Sequence, residues 1–180
     1  IVYAKGARML VMVRALIGDE ALRTGLKQYF NNHQYGNAKG ADLWTAIGDA
    51  AGIDVGAIMH SWLEQPGYPV VNVEVVDGQL TISQQQFFIG EGQNAGRQWQ
   101  IPLKGNYEVV PQILDQPTLS LGDYQQLRNE NGQPFRLNVG NESHFIVHYA
   151  KDLLADILGA LDQLGAIDQL QILQDLRLLA

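Results

Sequence analysis

The chain has 180 residues, of which 46% are hydrophobic and 17% charged, a composition that supports a folded core and argues against disorder. Its 12 basic and 19 acidic residues give a net charge of −7 without any basic cluster, so general binding to nucleic acid or to an anionic membrane is disfavoured. The absence of cysteine excludes disulfides and Cys-ligated metal sites, and it is compatible with the cytoplasmic location that we expect. No apolar run approaches the ~20 residues that a membrane span needs.

Residues 1 to about 65 show helical periodicity in four segments. The first ends at Gly18, and Asp19 and Glu20 follow where a helix N-terminus favours negative charge. The polar stretch NNHQYGNAKG predicts a connecting loop, and ADLWTAIGDAAG predicts a third helix. Asp54 is the predicted N-cap of the fourth helix, VGAIMHSWLEQ, which PGYP terminates.

From Pro69 the pattern changes to the alternation of β-strands. Two such runs in VVNVEVVDGQLTIS flank Asp77-Gly78, which is a strong hairpin signal. Further short runs are QWQIPLKG, YEVVPQI, PTLSL, PFRLNVG and HFIVHYA. Because no helical pattern interrupts them, they predict a β-sandwich of about seven strands.

The helical period returns after Tyr149 and predicts two more helices. The first is KDLLADILGALDQLG, and the second is AIDQLQILQDLRLLA. The predicted apolar stripe of the second helix consists of Leu170, Ile172, Leu173, Leu176 and Leu179.

The histidines do not predict a metal site. His144 and His148 lie in a strand-like segment, where residues four apart are roughly 13 Å from one another and cannot share one metal ion directly. His60 stands near a helix end, and His33 is expected in a surface loop. The sequence contains no H-E-x-x-H, G-x-S-x-G or phosphate-binding loop. The residues alone therefore indicate a three-part chain without a self-contained active site.

Four motifs carry a family resemblance. They are Tyr-x-Lys-Gly-Ala, Leu-Ile-Gly-Asp-Glu, YFNNHQYGNAKGADLW and MHSWLEQPGYPVVNV, in this order. Together they resemble the end of the thermolysin-like domain of the aminopeptidase N family of zinc peptidases, the gluzincins. HFIVHYAKDLLADIL resembles the family's passage from its last sandwich strand into a C-terminal helical domain, although the family's more usual Tyr-Arg-Val-Asn-Tyr-Asp is replaced there. The resemblance covers essentially the whole chain.

The resemblance implies an α+β chain in three parts. Residues 1–67 are expected to be the C-terminal helical part of the catalytic domain, residues 68–149 the β-sandwich, and residues 150–180 the first helices of the C-terminal domain. The family removes N-terminal amino acids from peptides. Its zinc is bound by the histidines of H-E-x-x-H and a downstream glutamate, and a Gly-x-Met-Glu-Asn segment binds the substrate amine. In the family these elements lie upstream of the part that this chain resembles, so we expect this chain to bind no zinc and to be inactive alone.

One catalytic residue is carried over by the resemblance, and it is Tyr3 of Tyr-x-Lys-Gly. Its phenol is expected to donate a hydrogen bond to the oxyanion that forms on the scissile carbonyl. A tyrosine phenol is protonated at neutral pH and is therefore able to donate. Lys5 has no assigned chemistry, whereas Gly6 and Ala7 are expected to let neighbouring helices approach closely.

An alternative function is a free-standing β-sandwich with helical flanks that binds protein or carbohydrate, and an interaction scaffold also stays open. A binding module would need an exposed aromatic platform or a basic groove. The strand aromatics lie mostly in apolar runs, which favours a core role, and they are Phe87, Phe88, Trp99, Tyr107, Phe135, Phe145 and Tyr149. The expected partners are peptide substrates in the full-length enzyme, with no nucleic acid and no membrane. Uncovered helix faces would favour self-association of the isolated chain.

Overall fold

The computed structural model describes residues 2–93 and 95–180, with Val2 through its backbone alone. The chain divides into two compact units, a helical unit that ends at Pro66 and a mixed unit, Gly67–Ala180. Within the described residues the fold is mixed α/β, with seven α-helices, one four-stranded sheet and one two-stranded sheet. None of the helices in this part of the chain is both long and apolar enough to cross a membrane.

The helical unit consists of α1 (Val2–Ile17), α2 (Asp19–His33), α3 (Gly40–Ala51) and α4 (Val55–Leu63), which confirms the four predicted helices. Gly18 separates the first two with a φ of 82°, a value that favours glycine. The Asp54 carboxylate caps α4 by accepting a 2.8 Å hydrogen bond from the Ala57 N–H, as predicted. The prediction that NNHQYGNAKG is entirely a loop is wrong at its start, because α2 continues through His33.

A close approach of α2 and α3 organises the core of the helical unit. A Cβ atom on Gly25 would lie 2.6 Å from the Ile47 Cα atom and 2.8 Å from the Ala46 carbonyl oxygen, so only glycine fits at this crossing. The most deeply buried side chains of the unit are Met9, Met12, Val13, Ile47, Val55, Met59 and Trp62.

The mixed unit begins with the predicted hairpin, which is confirmed. Strands β1 (Pro69–Val76) and β2 (Gln79–Gln86) pair antiparallel over their full lengths. The two turn residues, Asp77 and Gly78, have φ values of 49° and 80°, as a tight two-residue hairpin turn requires. The next strands are β3 (Ile101–Pro102) and β4 (Ile113–Leu114), which pair with each other, and β5 (Thr118–Asp123). The final strand, β6 (Ile146–Tyr149), runs parallel to β1, so the larger sheet has the order β5-β2-β1-β6.

The prediction of about seven strands without intervening helices is not confirmed, since the described residues form six strands and a helix between β5 and β6. Helix α5 (Tyr124–Asn131) is capped at its start by the Asp123 side chain, and Gly132, with a φ of 66°, is its C-cap. The predicted strand PFRLNVG contributes one isolated bridge, Gly105–Leu137.

In these irregular segments, side chains form the hydrogen bonds to the backbone that a neighbouring strand would otherwise supply. The buried Gln84 amide accepts from the Trp99 N–H at 2.8 Å and donates to the Trp99 carbonyl at 3.0 Å. The Tyr149 hydroxyl accepts a 2.9 Å hydrogen bond from the Leu137 N–H. Because the backbone groups are satisfied in this way, no neighbouring strand is needed beside them.

Two further helices, α6 (Lys151–Gly159) and α7 (Ala166–Leu179), confirm the helices predicted after Tyr149, with a short 3-10 turn between them at Leu161–Gln163. The predicted apolar stripe of α7 is wrong in part, because Leu170 and Leu173 are exposed. The buried residues of α7 are Gln171, Ile172 and Asp175. Asp175 faces inward because its carboxylate accepts a 3.0 Å hydrogen bond from the Val147 N–H of β6.

Carboxylates join α6 and α7 to the rest of the mixed unit. Asp156 of α6 pairs with Arg128 of α5 at 2.8 Å. Asp168 in the first turn of α7 accepts from the Arg136 guanidinium at 2.9 Å and from the Gly140 N–H at 2.7 Å. The Asp168–Arg136 pair is mostly shielded from solvent, so water screens it less than a surface pair.

Candidate functional site

The candidate catalytic residue, Tyr3, lies in the first turn of α1 with 93% of its surface exposed. Ala4, Gly6 and Ala7 around it are exposed as well. The side of the first turn that carries Tyr3 is therefore open to a ligand, and the phenol is held on a regular helix of 16 residues.

Lys5 anchors the opposite side of this turn. Its ammonium nitrogen donates a 2.9 Å hydrogen bond to the carbonyl oxygen of Trp62, in the last turn of α4. The last carbonyls of a helix lack partners within that helix and carry the negative end of its dipole, so a lysine ammonium is a favourable donor there. The Trp62 side chain is fully buried, so the acceptor belongs to a well-packed part of the helical unit.

The expectation that Gly6 and Ala7 allow a close helix approach is wrong for the described residues. A Cβ atom added to Gly6 would meet nothing within 4 Å, and Ala7 is exposed. Both residues lie on the same open side as Tyr3, away from the face of α1 that buries Met9 and Met12.

The histidines occupy separate environments. His148 in β6 is bonded through Nδ1 to the Asn72 side-chain oxygen, 2.9 Å away on β1. His144 lies ahead of β6 and stacks on Tyr68, with ring centroids 4.9 Å apart, so the predicted strand does not reach back to it. His60 is exposed in the last turn of α4.

His33 is the last residue of α2 and not a loop residue. Its Nε2 atom lies 4.0 Å from an Asp42 carboxylate oxygen, and its ring lies 5.3 Å from that of Tyr29. In the parts of the chain that the structure describes, no three His, Asp or Glu side chains gather as a metal site would require. These residues therefore do not fit a catalytic zinc ion.

Asp175 is a chemically unusual residue that was not predicted from the sequence. Its carboxylate is buried and accepts hydrogen bonds from the Val147 N–H and from the Gln171 side-chain amide. Burial raises the pKa of this carboxyl to about 7. A cavity of about 310 Å³ adjoins it, lined mostly by apolar side chains of β6, α6 and α7. The signal in the sequence was a polar pair at positions i and i+4, Gln171 and Asp175, on either side of the apolar residues Ile172 and Leu173.

The aromatic residues of the mixed unit form its core and not a binding platform. Trp99, Tyr107, Phe135, Phe145 and Tyr149 are buried, while Phe87 and Phe88 are partly exposed. Among the three tryptophans of the chain, Trp62 and Trp99 are fully buried, and Trp44 is half-buried.

Comparison with known proteins supports the resemblance over the whole chain. Residues 1–62 match the Peptidase family M1 domain. Aminopeptidase N of Lactobacillus helveticus is 61% identical over 181 aligned residues, which cover 100% of this chain and 21% of that protein. Aminopeptidase N of Lactobacillus delbrueckii subsp. lactis is 59% identical over 180 residues, with the same coverage. Tricorn protease-interacting factor F2 of Thermoplasma acidophilum is 45% identical over 101 residues, which are 56% of this chain and 13% of that protein. The chain thus spans about a fifth of the length of the first two relatives.

Proposed function

This chain belongs to the aminopeptidase N family of metallopeptidases, and we propose that the protein of which it is part removes N-terminal amino acids from peptides with the help of zinc. The observation that carries this proposal is 61% identity to an aminopeptidase N along the entire chain. At that level the residues of the helical unit, including the Tyr-x-Lys-Gly motif, are expected to serve the same chemistry.

We propose that the chain contributes three parts to the complete enzyme. Residues 1–67 are the helical end of a thermolysin-like catalytic domain, residues 68–149 are a β-domain that spaces and supports its neighbours, and residues 150–180 begin a helical domain. The carboxylates that join α6 and α7 to α5 and to the segment around Arg136 support the scaffold role, because they connect the last helices to the β-region.

Tyr3 is the catalytic residue that we assign to this chain. Attack of water on the scissile carbonyl places negative charge on its oxygen, and a fixed donor beside that oxygen stabilises the transition state more than the ground state. The open position of Tyr3 on a regular helix leaves its phenol available to donate to that oxygen. The proton stays on the phenol oxygen throughout, so the residue acts through a hydrogen bond.

We propose that the zinc of the complete enzyme is bound upstream of this segment, by the family's H-E-x-x-H motif and its downstream glutamate. The metal ion supplies Lewis-acid chemistry to the complete enzyme when it is bound. The isolated chain is accordingly proposed to be inactive and to self-associate through the exposed leucines of α7, Leu170 and Leu173. The complete enzyme is proposed to reside in the cytoplasm.

An activity assay on the complete protein tests this function. The zinc-loaded protein should hydrolyse an aminoacyl-anilide, lose turnover on chelation, and spare the N-acetylated substrate, because the acetyl group removes the free amine. The isolated 180-residue chain, incubated with zinc and the same substrate, should give no turnover above buffer. Cleavage of the N-acetylated substrate at a comparable rate, or clear turnover by the isolated chain, would contradict the proposal.

A further inference from the structure

The first turn of α1 holds two functional groups on opposite sides. Successive residues of an α-helix are separated by about 100°, so side chains two positions apart point in nearly opposite directions. Tyr3 and Lys5 are separated in this way, and the structure shows the consequence. The Tyr3 ring is exposed, whereas the Lys5 ammonium is bonded to the Trp62 carbonyl of α4.

Lys5 extends the buried face of α1 into its first turn. It precedes Met9 by four positions and Met12 by seven, which is the spacing of one helix face. Met9 and Met12 are buried, and Lys5 is the residue between positions 3 and 7 that is partly shielded from solvent. A methionine or leucine at this position would contribute only apolar packing. The lysine also donates a directed hydrogen bond to a carbonyl 57 residues away in the sequence.

The hydrogen bond of Lys5 limits the motion of the first turn of α1. A helical turn opens locally more easily when few side chains bond it to the rest of the fold. A bond from Lys5 to a carbonyl of α4 restricts this motion, because Trp62 and its neighbour Met59 are fully buried.

We propose that Lys5 is a positioning residue for Tyr3: its hydrogen bond to the Trp62 carbonyl fixes the first turn of α1 on α4 and thereby places the Tyr3 phenol for donation to the oxyanion. This inference rests on the proposed function. Preorganised donors lose their effect when they are displaced, and a displacement of about 1 Å is enough to lower a rate roughly a hundredfold.

A double-mutant cycle in the complete zinc-loaded enzyme tests the proposal. The four proteins are the wild type, Lys5→Met, Tyr3→Phe and the double variant, assayed for kcat and KM with an aminoacyl-anilide. Lys5→Met should lower kcat about tenfold to a hundredfold with KM nearly unchanged. In the Tyr3→Phe background the same change should have almost no further effect on kcat, because no phenol is left to position.

Two more variants separate positioning from a general loss of stability. Lys5→Arg keeps a cationic donor at the helix end and should retain most of kcat. Lys27→Met removes an exposed lysine of α2 and should leave both constants unchanged. If Lys5→Met does not fold, Lys5→Gln replaces it in the cycle, since its amide is too short to make the same bond.

The outcomes distinguish this inference from the function on which it rests. Wild-type kcat in Lys5→Met alongside a strong loss in Tyr3→Phe overturns the positioning role and leaves the proposed function intact. Equal losses from Lys5→Met in both backgrounds also overturn it, because Lys5 would then act without Tyr3. An unchanged kcat in Tyr3→Phe overturns the oxyanion role and the positioning role together.

Discussion

Asp175 shows how one buried carboxyl group can couple folding to pH. It lies on the inner side of α7, where its acceptor oxygen binds the Val147 N–H of β6 and the Gln171 amide. Burial raises the pKa of the Tyr68 and Tyr149 phenols, and the charge of the nearby Asp175 carboxylate raises it further. His148 lines the same cavity. Desolvation disfavours the charged form and raises the pKa of the carboxyl from 3.8 to about 7.

The sign of the pH effect follows from this shift. Between about pH 4 and pH 7 the folded state keeps a proton on Asp175 that the unfolded chain has released. The contribution of this group to stability is therefore complete below about pH 4 and is lost as the pH rises through about 7. Asp175→Asn keeps the acceptor oxygen but cannot ionise. Relative to this variant, the wild-type chain should lose a few kcal/mol of unfolding free energy between pH 4 and pH 7.5, since one unit of pKa shift corresponds to about 1.4 kcal/mol.

Urea unfolding of both proteins at the two pH values measures this difference, and groups that titrate in both proteins cancel in the comparison. Asp19 and Asp156 are such groups, because pairing with Arg14 and Arg128 lowers the pKa of each carboxyl. Parallel pH profiles for the wild type and Asp175→Asn would show that the carboxyl is not desolvated in solution.

At the scale of elements, the crossing of α2 and α3 depends on a single glycine. A methyl group on Gly25 would overlap the backbone of α3 at Ala46 and Ile47, which cannot yield as a flexible side chain does. Gly25→Ala should therefore lower the unfolding free energy by about 1–3 kcal/mol, although alanine gains roughly 1 kcal/mol in helix propensity.

Gly6→Ala is the matched control, because it makes the same substitution within a helix where a Cβ atom meets nothing. It should stabilise the chain by up to about 1 kcal/mol. Both changes are measured by chemical unfolding followed by far-UV circular dichroism. Equal effects from the two substitutions would mean that the close approach of α2 and α3 does not exist in solution.

Elements with strong local signals were predictable, and those held together by distant side chains were not. The period of α1, the Asp54 cap of α4 and the Asp77-Gly78 turn each act over a few residues, so the sequence displays them. The segments around Trp99 and Leu137 satisfy their backbone through Gln84 and Tyr149, which are 15 and 12 residues away. The strand-like patterns of these two segments predicted backbone pairing with neighbouring strands. Long-range hydrogen bonds from side chains take the place of that pairing.

At the scale of the whole molecule, each of the two units has buried residues of its own, and the units differ in architecture. The helical unit carries the candidate catalytic residue. In the mixed unit, carboxylates join α6 to α5, and they join α7 to the segment around Arg136 and to β6. The candidate site was predictable only through the family resemblance. A single exposed tyrosine in the first turn of α1 does not produce a hydrophobic periodicity that would mark it as a site residue. The hydrogen bond between Lys5 and Trp62 joins residues that are 57 positions apart in the sequence.

Tyr3→Phe in the complete enzyme tests the proposal that this segment supplies one hydrogen-bond donor to the active site of a zinc aminopeptidase. The change removes the hydroxyl and keeps the ring. Loss of one oxyanion donor costs about 2.7–4 kcal/mol of barrier, so kcat should fall about a hundredfold or more while KM changes little. A kcat within about threefold of the wild-type value would contradict the assignment of Tyr3 as the oxyanion donor.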